Sequence, residues 1–319
     1  MTTEFNLIKK YFDRPTAHTD LGVGDDAALI QISPGHQLAI STDMSVAGTH
    51  FLTDCAAFDI GWKSLAVNIS DMAAMGANPK WATLSIALPN VDEVWLAEFS
   101  RGFFACADQF GVSLIGGDTT RGPLNISVQI MGEVPIGKAL GRDGAKAGDE
   151  IWVSGILGEA ALGLAELQNK LAQTLLSSAE KKTCIDALQK PEPRVALGLA
   201  LRNIAHSAID ISDGLMADLG HILAQSHLGA DVYWNKVPHV KVNSLDESTL
   251  QSLSLAGGDD YELCFTAPIN QHAEILKLGE QLKLPLSCIG VTKQEMSVNL
   301  VDAHHQRIEL KVKGYDHFS

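Results

Sequence analysis

Paired cysteines, long apolar runs and basic residues are all scarce in this chain, and each shortage removes a class of protein. The five cysteines (Cys55, Cys106, Cys184, Cys264, Cys288) are odd in number, far apart and form no Cys-x-x-Cys pair. Neither a zinc site nor a disulfide framework is suggested, and a reducing cytoplasm is the expected compartment. No segment approaches the roughly 18 uninterrupted apolar residues of a membrane helix. The first ten residues lack the basic-then-apolar order of a signal peptide and read as a short amphipathic helix. Lys and Arg total 24 against 38 Asp and Glu, a formal charge of −14, so neither a nucleic-acid backbone nor an anionic membrane is the expected partner. An anionic small molecule still fits if metal ions screen the carboxylates.

The common nucleotide-binding signatures are missing too. Gly22-Val23-Gly24-Asp25-Asp26-Ala27 matches G-x-G-x-x-A, but a polar loop precedes it and an apolar, strand-like stretch follows. The dinucleotide fingerprint needs a strand before and a helix after, so that pyrophosphate sits on the helix N-terminus. Lys146 follows Ala145 rather than glycine, which rules out a Walker A loop. There is no G-x-S-x-G elbow, H-E-x-x-H pair or EF-hand loop.

What is present is an ordinary globular composition, 46% apolar and 19% charged with a mean hydropathy of +0.08. The 319 residues are enough for two domains, since single cores stop growing at about 250–300 residues. Strand-like runs at 27–32, 37–42, 81–88, 113–115 and 126–134 alternate with helix-like periodicity at 56–76 and 92–110. After a Gly/Lys/Asp-rich stretch at 141–149 come a strand at 151–153, helices near 159–168, 179–189 and 195–204, a strand at 208–211 and a helix at 215–225. The expected class is α/β, with a domain over 1–148 and a second over 149–319. The halves also echo each other. Asp118 of Gly116-Gly117-Asp118 lies 47 positions beyond Asp71 of Ile69-Ser70-Asp71, and Asp259 of Gly257-Gly258-Asp259 lies 46 beyond Asp213 of Ile211-Ser212-Asp213. Such spacing points to a tandem duplication, with a ligand expected between the two copies.

Short acidic motifs carry the chemistry: Gly24-Asp25-Asp26, Ser41-Thr42-Asp43, Asp71, Gly116-Gly117-Asp118 and Asp210-Ile211-Ser212-Asp213-Gly214. Carboxylates beside glycine and small hydroxyls suit Mg²⁺, which takes a few oxygens and keeps its waters. Several such ions point to phosphates, because an ATP-using enzyme without a Walker loop needs another way to hold the triphosphate. Each aspartate could equally be a cap or turn residue, Asp213 ahead of a helix above all. Asp71 lies inside the apolar helical pattern 65–75, where an unpaired carboxylate is costly.

These residues belong to longer motifs. Gly24-Asp25-Asp26-Ala27-Ala28, Gly48-Thr49-His50-Phe51, Asn68-Ile69-Ser70-Asp71-Met72, Gly116-Gly117-Asp118-Thr119-Thr120-Arg121-Gly122-Pro123, Asp210-Ile211-Ser212-Asp213-Gly214-Leu215, Gly257-Gly258-Asp259-Asp260-Tyr261-Glu262 and the tail Gly314-Tyr315-Asp316-His317-Phe318 closely resemble the thiamine-monophosphate kinase family. Its wider superfamily includes aminoimidazole-ribonucleotide synthetase and selenophosphate synthetase. The resemblance implies a two-domain aminoimidazole-ribonucleotide-synthetase-like fold, each domain a mixed sheet with helices packed on it, and a homodimer formed through the N-terminal domains. It implies ATP-dependent phosphorylation of thiamine monophosphate to thiamine diphosphate by direct in-line transfer with several Mg²⁺. Carried over by position, Asp26, Ser41, Thr42, Asp43, Asp71, Asp118, Asp210 and Asp213 are metal ligands. Gly117, Asp118, Arg142 and Ser212 contact ATP, and His50, Asp259 and Tyr315 line the thiamine monophosphate site. One departure stands out: the family usually has Glu where this chain has Asp259. The rival readings are another ATP-using member of the superfamily, a non-catalytic metal-dependent sensor of thiamine phosphates and a metal-dependent phosphatase.

Overall fold

A computed structural model describes residues 3–172, 175–242, 244–304 and 306–309. The chain divides into two compact units, Met1–Met72 with Ala77–Gly137, and Ala73–Gly76 with Lys138–Ser319. Among the described residues no helix is long and apolar enough to cross a membrane.

The first unit opens with α1 (Glu4–Tyr11), where Thr3 caps the N-terminus, Glu4 lies in the first turn and Lys9 and Lys10 in the last, the charge order a helix dipole favours. Two short strands, β1 (Thr19–Leu21) and β2 (Leu29–Ile30), pair antiparallel, so the run expected over 27–32 forms only its centre. β3 (His36–Val46), α2 (Ala57–Ala74), β4 (Asn78–Leu88), α3 (Glu93–Phe110), β5 (Ser113–Arg121) and β6 (Asn125–Pro135) follow. The sheet order is β3-β6-β4-β5. Only β4 and β5 run parallel, joined through α3 as a parallel crossover requires. Leu65, Ala66, Ile69 and Ala73 of α2 are fully buried, and its polar Asn68 and Ser70 are buried with them; a helix apolar nearly all round belongs in a core. One face of the sheet is packed, with Ile126, Val128 and Ile130 of β6 buried. On the other, Ile40 and Met44 of β3 stand 56% and 55% exposed.

The second unit contains β7 (Glu150–Ser154), α4 (Glu159–Leu167), α5 (Ser178–Gln189), α6 (Val195–Leu201), β8 (Ser207–Asp210), α7 (Leu215–Ser226), β9 (Gly229–Tyr233), α8 (Glu247–Leu255), β10 (Leu263–Ala267), α9 (His272–Leu282), β11 (Leu286–Lys293), β12 (Val298–Val301) and β13 (Arg307–Ile308). Its seven strands are ordered β13-β12-β9-β11-β7-β10-β8, antiparallel except for β9 with β12. The central strands are covered on both faces. Ile151 and Val153 pack with Leu215, Leu219 and Ile222 of α7 and Leu255 of α8. Trp152, between them in sequence, packs with Phe265, with Leu197 and Leu201 of α6 and with Ile275 and Leu278 of α9. The period-two alternation of a strand thus sorts one apolar run between two helical layers.

Both sheets are mixed and carry helices, as expected for the fold. The tripeptide echo is a different matter. Ile69-Ser70-Asp71 lies inside α2, whereas Ile211-Ser212-Asp213 spans the turn from β8 to α7; Gly116-Gly117-Asp118 is strand, whereas Gly257-Gly258-Asp259 is loop. The matching spacing therefore does not mark equivalent places in two copies. Three-residue patterns rich in Gly, Ser and Asp are compatible with caps, turns and strand ends alike.

Candidate active site

In the first unit the strand pleat decides which candidates meet. Ser41 and Asp43 point from alternate positions of β3 toward α2, where Ser41 Oγ donates to Asp71 Oδ2 at 2.5 Å. The Asp43 backbone N–H donates to Asn68 Oδ1 at 3.1 Å, and Asn68 Nδ2 to the Ser64 carbonyl at 2.9 Å, so a buried amide ties β3 to α2. Burial, and secondly the charge of Asp71, push the Asp43 carboxyl up to about 6. Thr42 lies between Ser41 and Asp43 and is therefore on the opposite, exposed face. Across the four strands Asp43, Val128, Leu84 and Gly117 are in register, as are Ser127, Ser85 and Asp118. Asp118 consequently shares the outer face with Thr42, away from Asp43. Gly117 has φ +149, and a Cβ there would meet the Leu84 carbonyl oxygen at 1.8 Å, so no other residue fits beside β4. Asp26 is exposed in the loop between β1 and β2. His50 follows β3 in a turn, where its Nδ1 accepts the Val46 backbone N–H at 3.1 Å. That bond leaves Nε2 as the proton-bearing nitrogen of the neutral ring.

In the second unit Asp210 ends β8 and is 4% exposed, and Ser212 and Asp213 form the turn into α7. Asp213 is not the helix cap: that position is Gly214, which has no side chain to offer. The capping is done from inside the helix. Asp218 Oδ2 accepts the backbone N–H groups of Ser212, Asp213 and Gly214 at 3.1, 3.0 and 3.1 Å. Burial pushes the Asp218 carboxyl up to about 7 against the pull of these donors, and the Asp213 charge adds to the rise.

The 257–262 loop is stitched to the same turn. The Asp259 N–H donates to the Ser212 carbonyl at 2.9 Å, Tyr261 N–H to Ile211 at 2.8 Å and Ile211 N–H to Glu262 at 2.8 Å. A Cβ on Gly258 would meet the Ser212 carbonyl oxygen at 2.3 Å, so this approach depends on glycine. Asp259 and Tyr261 both adopt left-handed φ, +68 and +49, and the Tyr261 hydroxyl donates to Asp259 Oδ1 at 3.2 Å. Behind them Arg194 forks onto Glu262 with Nε at 2.8 Å and NH2 at 2.5 Å, and Ser154 Oγ donates to the same carboxylate. Half-buried Asp260, held well above the usual carboxylate range by desolvation, accepts the Gly158 N–H. Arg142 is exposed in the 138–149 loop, its carbonyl accepting from Ser226 Oγ at 3.0 Å. Tyr315 and the rest of the tail motif lie outside the described residues.

Two family models match the chain, AIR synthase related protein, N-terminal domain, over 24–134 and AIR synthase related protein, C-terminal domain, over 146–302. A thiamine-monophosphate kinase of Escherichia coli K12 is 46% identical over 99% of this chain and 98% of its own length. The chain belongs to the thiamine-monophosphate kinase family. A crystal structure of the Stenotrophomonas maltophilia K279a thiamine-monophosphate kinase, 47% identical, superposes with a TM-score of 0.84 over 93% of this chain and 94% of that one. A structure of AaThiL complexed with AMPPCP and TMP is 27% identical, with a TM-score of 0.74 over 98% and 96% of the two chains.

Within this family fold the sequence reading found the motif aspartates but missed what holds them. Asn68 was visible only as a polar residue at an apolar helix position, one turn before Asp71. Asp218 carried a clearer signal, an acid in the first turn of a helix whose cap is glycine. Tyr261 and Glu262 close the Gly257–Glu262 motif, and nothing in their local sequence marks the contacts they make.

Proposed function

We propose that the chain phosphorylates thiamine monophosphate to thiamine diphosphate with ATP, by direct in-line transfer and with several Mg²⁺ ions. Kinship supports the substrates, and one observation supports the metals: Asp43 is raised to about 6 by burial and by Asp71. With the Asp71 charge acting on Asp43, the pair resists joint ionisation unless a cation accompanies it. The donor set is all oxygen, two carboxylates with a serine hydroxyl on one of them, which suits a hard ion such as Mg²⁺.

Bound Mg²⁺ would neutralise the charge that builds on the transferring phosphoryl group. Asp43 and Asp71 hold an ion on the packed side of the first sheet, with Ser41 orienting Asp71 and Asn68 fixing the β3 backbone. Asp26, and Thr42 with Asp118 on the outer face, form a second group of ligands, and Asp210 and Asp213 a third. Asp218 shapes the turn that presents the Ser212 hydroxyl and Asp213. Gly117 and Asp118 contact ATP, and Arg142 offers its planar fork to phosphate. His50 and Asp259 bind thiamine monophosphate, as does Tyr315. His50 serves as a donor through Nε2; a loose phosphoryl-transfer transition state needs positioning and charge compensation more than a strong base.

The protein works as a cytoplasmic homodimer in this reading. Exposed Ile40 and Met44 on the outer face of the first sheet are the apolar surface that pairing would cover, and all five cysteines are free thiols. Purified protein with Mg²⁺, ATP and thiamine monophosphate should yield thiamine diphosphate and ADP together. Ligand binding without product would favour a sensor, and phosphate release without ATP would favour a phosphatase.

A further inference from the structure

The second unit carries a cluster of metal-ligating side chains that the kinase reading does not use. Glu150 opens β7, His272 opens α9 and Cys288 lies in β11, and one donor atom from each lies within 4.8 Å of the other two. His272 Nδ1 is 2.9 and 2.8 Å from the two Glu150 oxygens. We propose that these three residues bind a thiophilic divalent cation of the zinc class, at a site separate from the Mg²⁺ ligands.

The fold brings the donors together for identifiable reasons. Cys288 is the strand partner of Trp152, two residues from Glu150 on the same face of β7, and the pairing shifts between Cys288 and Gly290. β10 ends with Ala267 opposite Glu150, and the short turn after it returns the chain to place His272 over this face. The imidazole packs on the Trp152 ring with centroids 4.9 Å apart, which limits its rotation. An ion pair between Glu150 and His272 would account for two of the residues but not for a thiol arriving from a third element.

The donor chemistry selects the ion. Thiolate, imidazole and carboxylate together suit Zn²⁺ and its borderline neighbours, whereas Mg²⁺ prefers oxygen alone. Tetrahedral zinc with ligands at about 2.0–2.3 Å sets its donors about 3.3–3.8 Å apart, so separations of up to 4.8 Å close by about 1 Å at most while the Glu150–His272 contact opens by about 0.5 Å. The His272 side chain is 44% exposed and that of Glu150 14%, which leaves a way in and a fourth position for water. On binding, the Cys288 thiol gives its proton to solvent, and the thiolate and the Glu150 carboxylate balance the ion's charge. Without an ion, burial and then the Glu150 charge hold the Cys288 thiol above its ordinary range, with Lys236 only partly opposing them, so it is the bound cation that makes the thiolate. The bound ion would pin the start of α9 to β7 and β11.

The test is a Co²⁺ titration of the full chain, stripped with chelator and returned to Mg²⁺ buffer. Wild type should show thiolate-to-cobalt charge-transfer absorption with tetrahedral d–d bands, saturating at a single equivalent and abolished by Zn²⁺. Cys288→Ser should lose the charge-transfer band. His272→Ala and Glu150→Gln should weaken Co²⁺ binding by at least about tenfold, the loss that removing even an outer-shell partner brings. Zn²⁺ should raise the thermal midpoint of wild type but not of His272→Ala. Mg²⁺-dependent kinase activity should be unchanged in all three variants, so this site and the kinase reading fail separately. No charge-transfer band in wild type, or a band that survives Cys288→Ser and vanishes in Cys55→Ser, would overturn the proposal.

Discussion

Asp71→Asn tests the carboxylate pair without disturbing its shape. The amide oxygen can still accept from Ser41 Oγ, so what is lost is one charge beside Asp43. The rise of Asp43 from 3.8 to about 6 corresponds to about 3 kcal/mol. Burial is its larger cause and the Asp71 charge the smaller, so relief of the repulsion is worth under about 1.5 kcal/mol. The sign follows from the raised folded value. Asp43 contributes stability that is present below pH 3.8 and lost as pH rises through about 6. Metal-free Asp71→Asn should therefore melt up to about 2 °C above wild type at pH 8, with the gap closing toward pH 4. Mg²⁺ should reverse the order, by stabilising wild type and not the variant. Turnover should fall by at least about a hundredfold, as when a group opposing transition-state charge is removed. Thermal melts at several pH values, with chelator and with Mg²⁺, beside a thiamine diphosphate assay, check all of this. Wild-type turnover in the variant, or equal stabilisation of both proteins by Mg²⁺, would refute the reasoning.

Asp218→Asn keeps an acceptor for three N–H groups but removes the charge. It should raise the Mg²⁺ concentration needed for half-maximal rate with an unchanged circular dichroism spectrum, and should flatten the loss of thermal stability that wild type shows as Asp218 ionises near pH 7. His50→Asn should raise KM for thiamine monophosphate more than it lowers kcat; a large kcat loss at constant KM would make the ring more than a positioning group. Asp259→Glu, which restores the residue usual in the family, should change KM for thiamine monophosphate severalfold and leave KM for ATP alone. Glu262→Gln strands the Arg194 guanidinium and should lower stability by about 3 kcal/mol, the low end for a broken buried pair because Arg194 is partly exposed, read as a drop in thermal midpoint.

Helices α2, α3, α5 and α7 fall within a residue or two of where apolar periodicity puts them. β3 and β5, however, run past their expected ends at 42 and 115 to Val46 and Arg121, so Asp43 and Asp118 stand inside strands rather than at strand ends. Asp26, Asp71, Asp210 and Asp213 lie in a loop, a helix interior, a strand end and a turn as their neighbours imply. The arrangement of the site was less accessible. Ser41, Thr42 and Asp43 read as one motif, yet a strand sends adjacent side chains to opposite faces, so Thr42 parts from the other two. The expected strand over 37–42 already contained that rule for its first two members. The partition of Asp118 from Asp43 depends on the register of four strands, which local sequence does not encode. Asp218 was not apparent because Asp213, just ahead of the helix, reads as its cap and leaves no need for another acceptor, although the cap is Gly214. The tandem echo misled for the opposite reason: spacing was treated as structure although the tripeptides themselves adopt whatever backbone their surroundings impose.

The most direct measurement follows the phosphoryl group itself. With ATP labelled in the γ-phosphate, thiamine monophosphate and Mg²⁺, label should pass into the terminal phosphate of thiamine diphosphate in step with ADP, leave none on the protein, and stop when Mg²⁺ is chelated. Label appearing as inorganic phosphate while thiamine monophosphate is unchanged, or transfer that persists without divalent metal, would contradict the account.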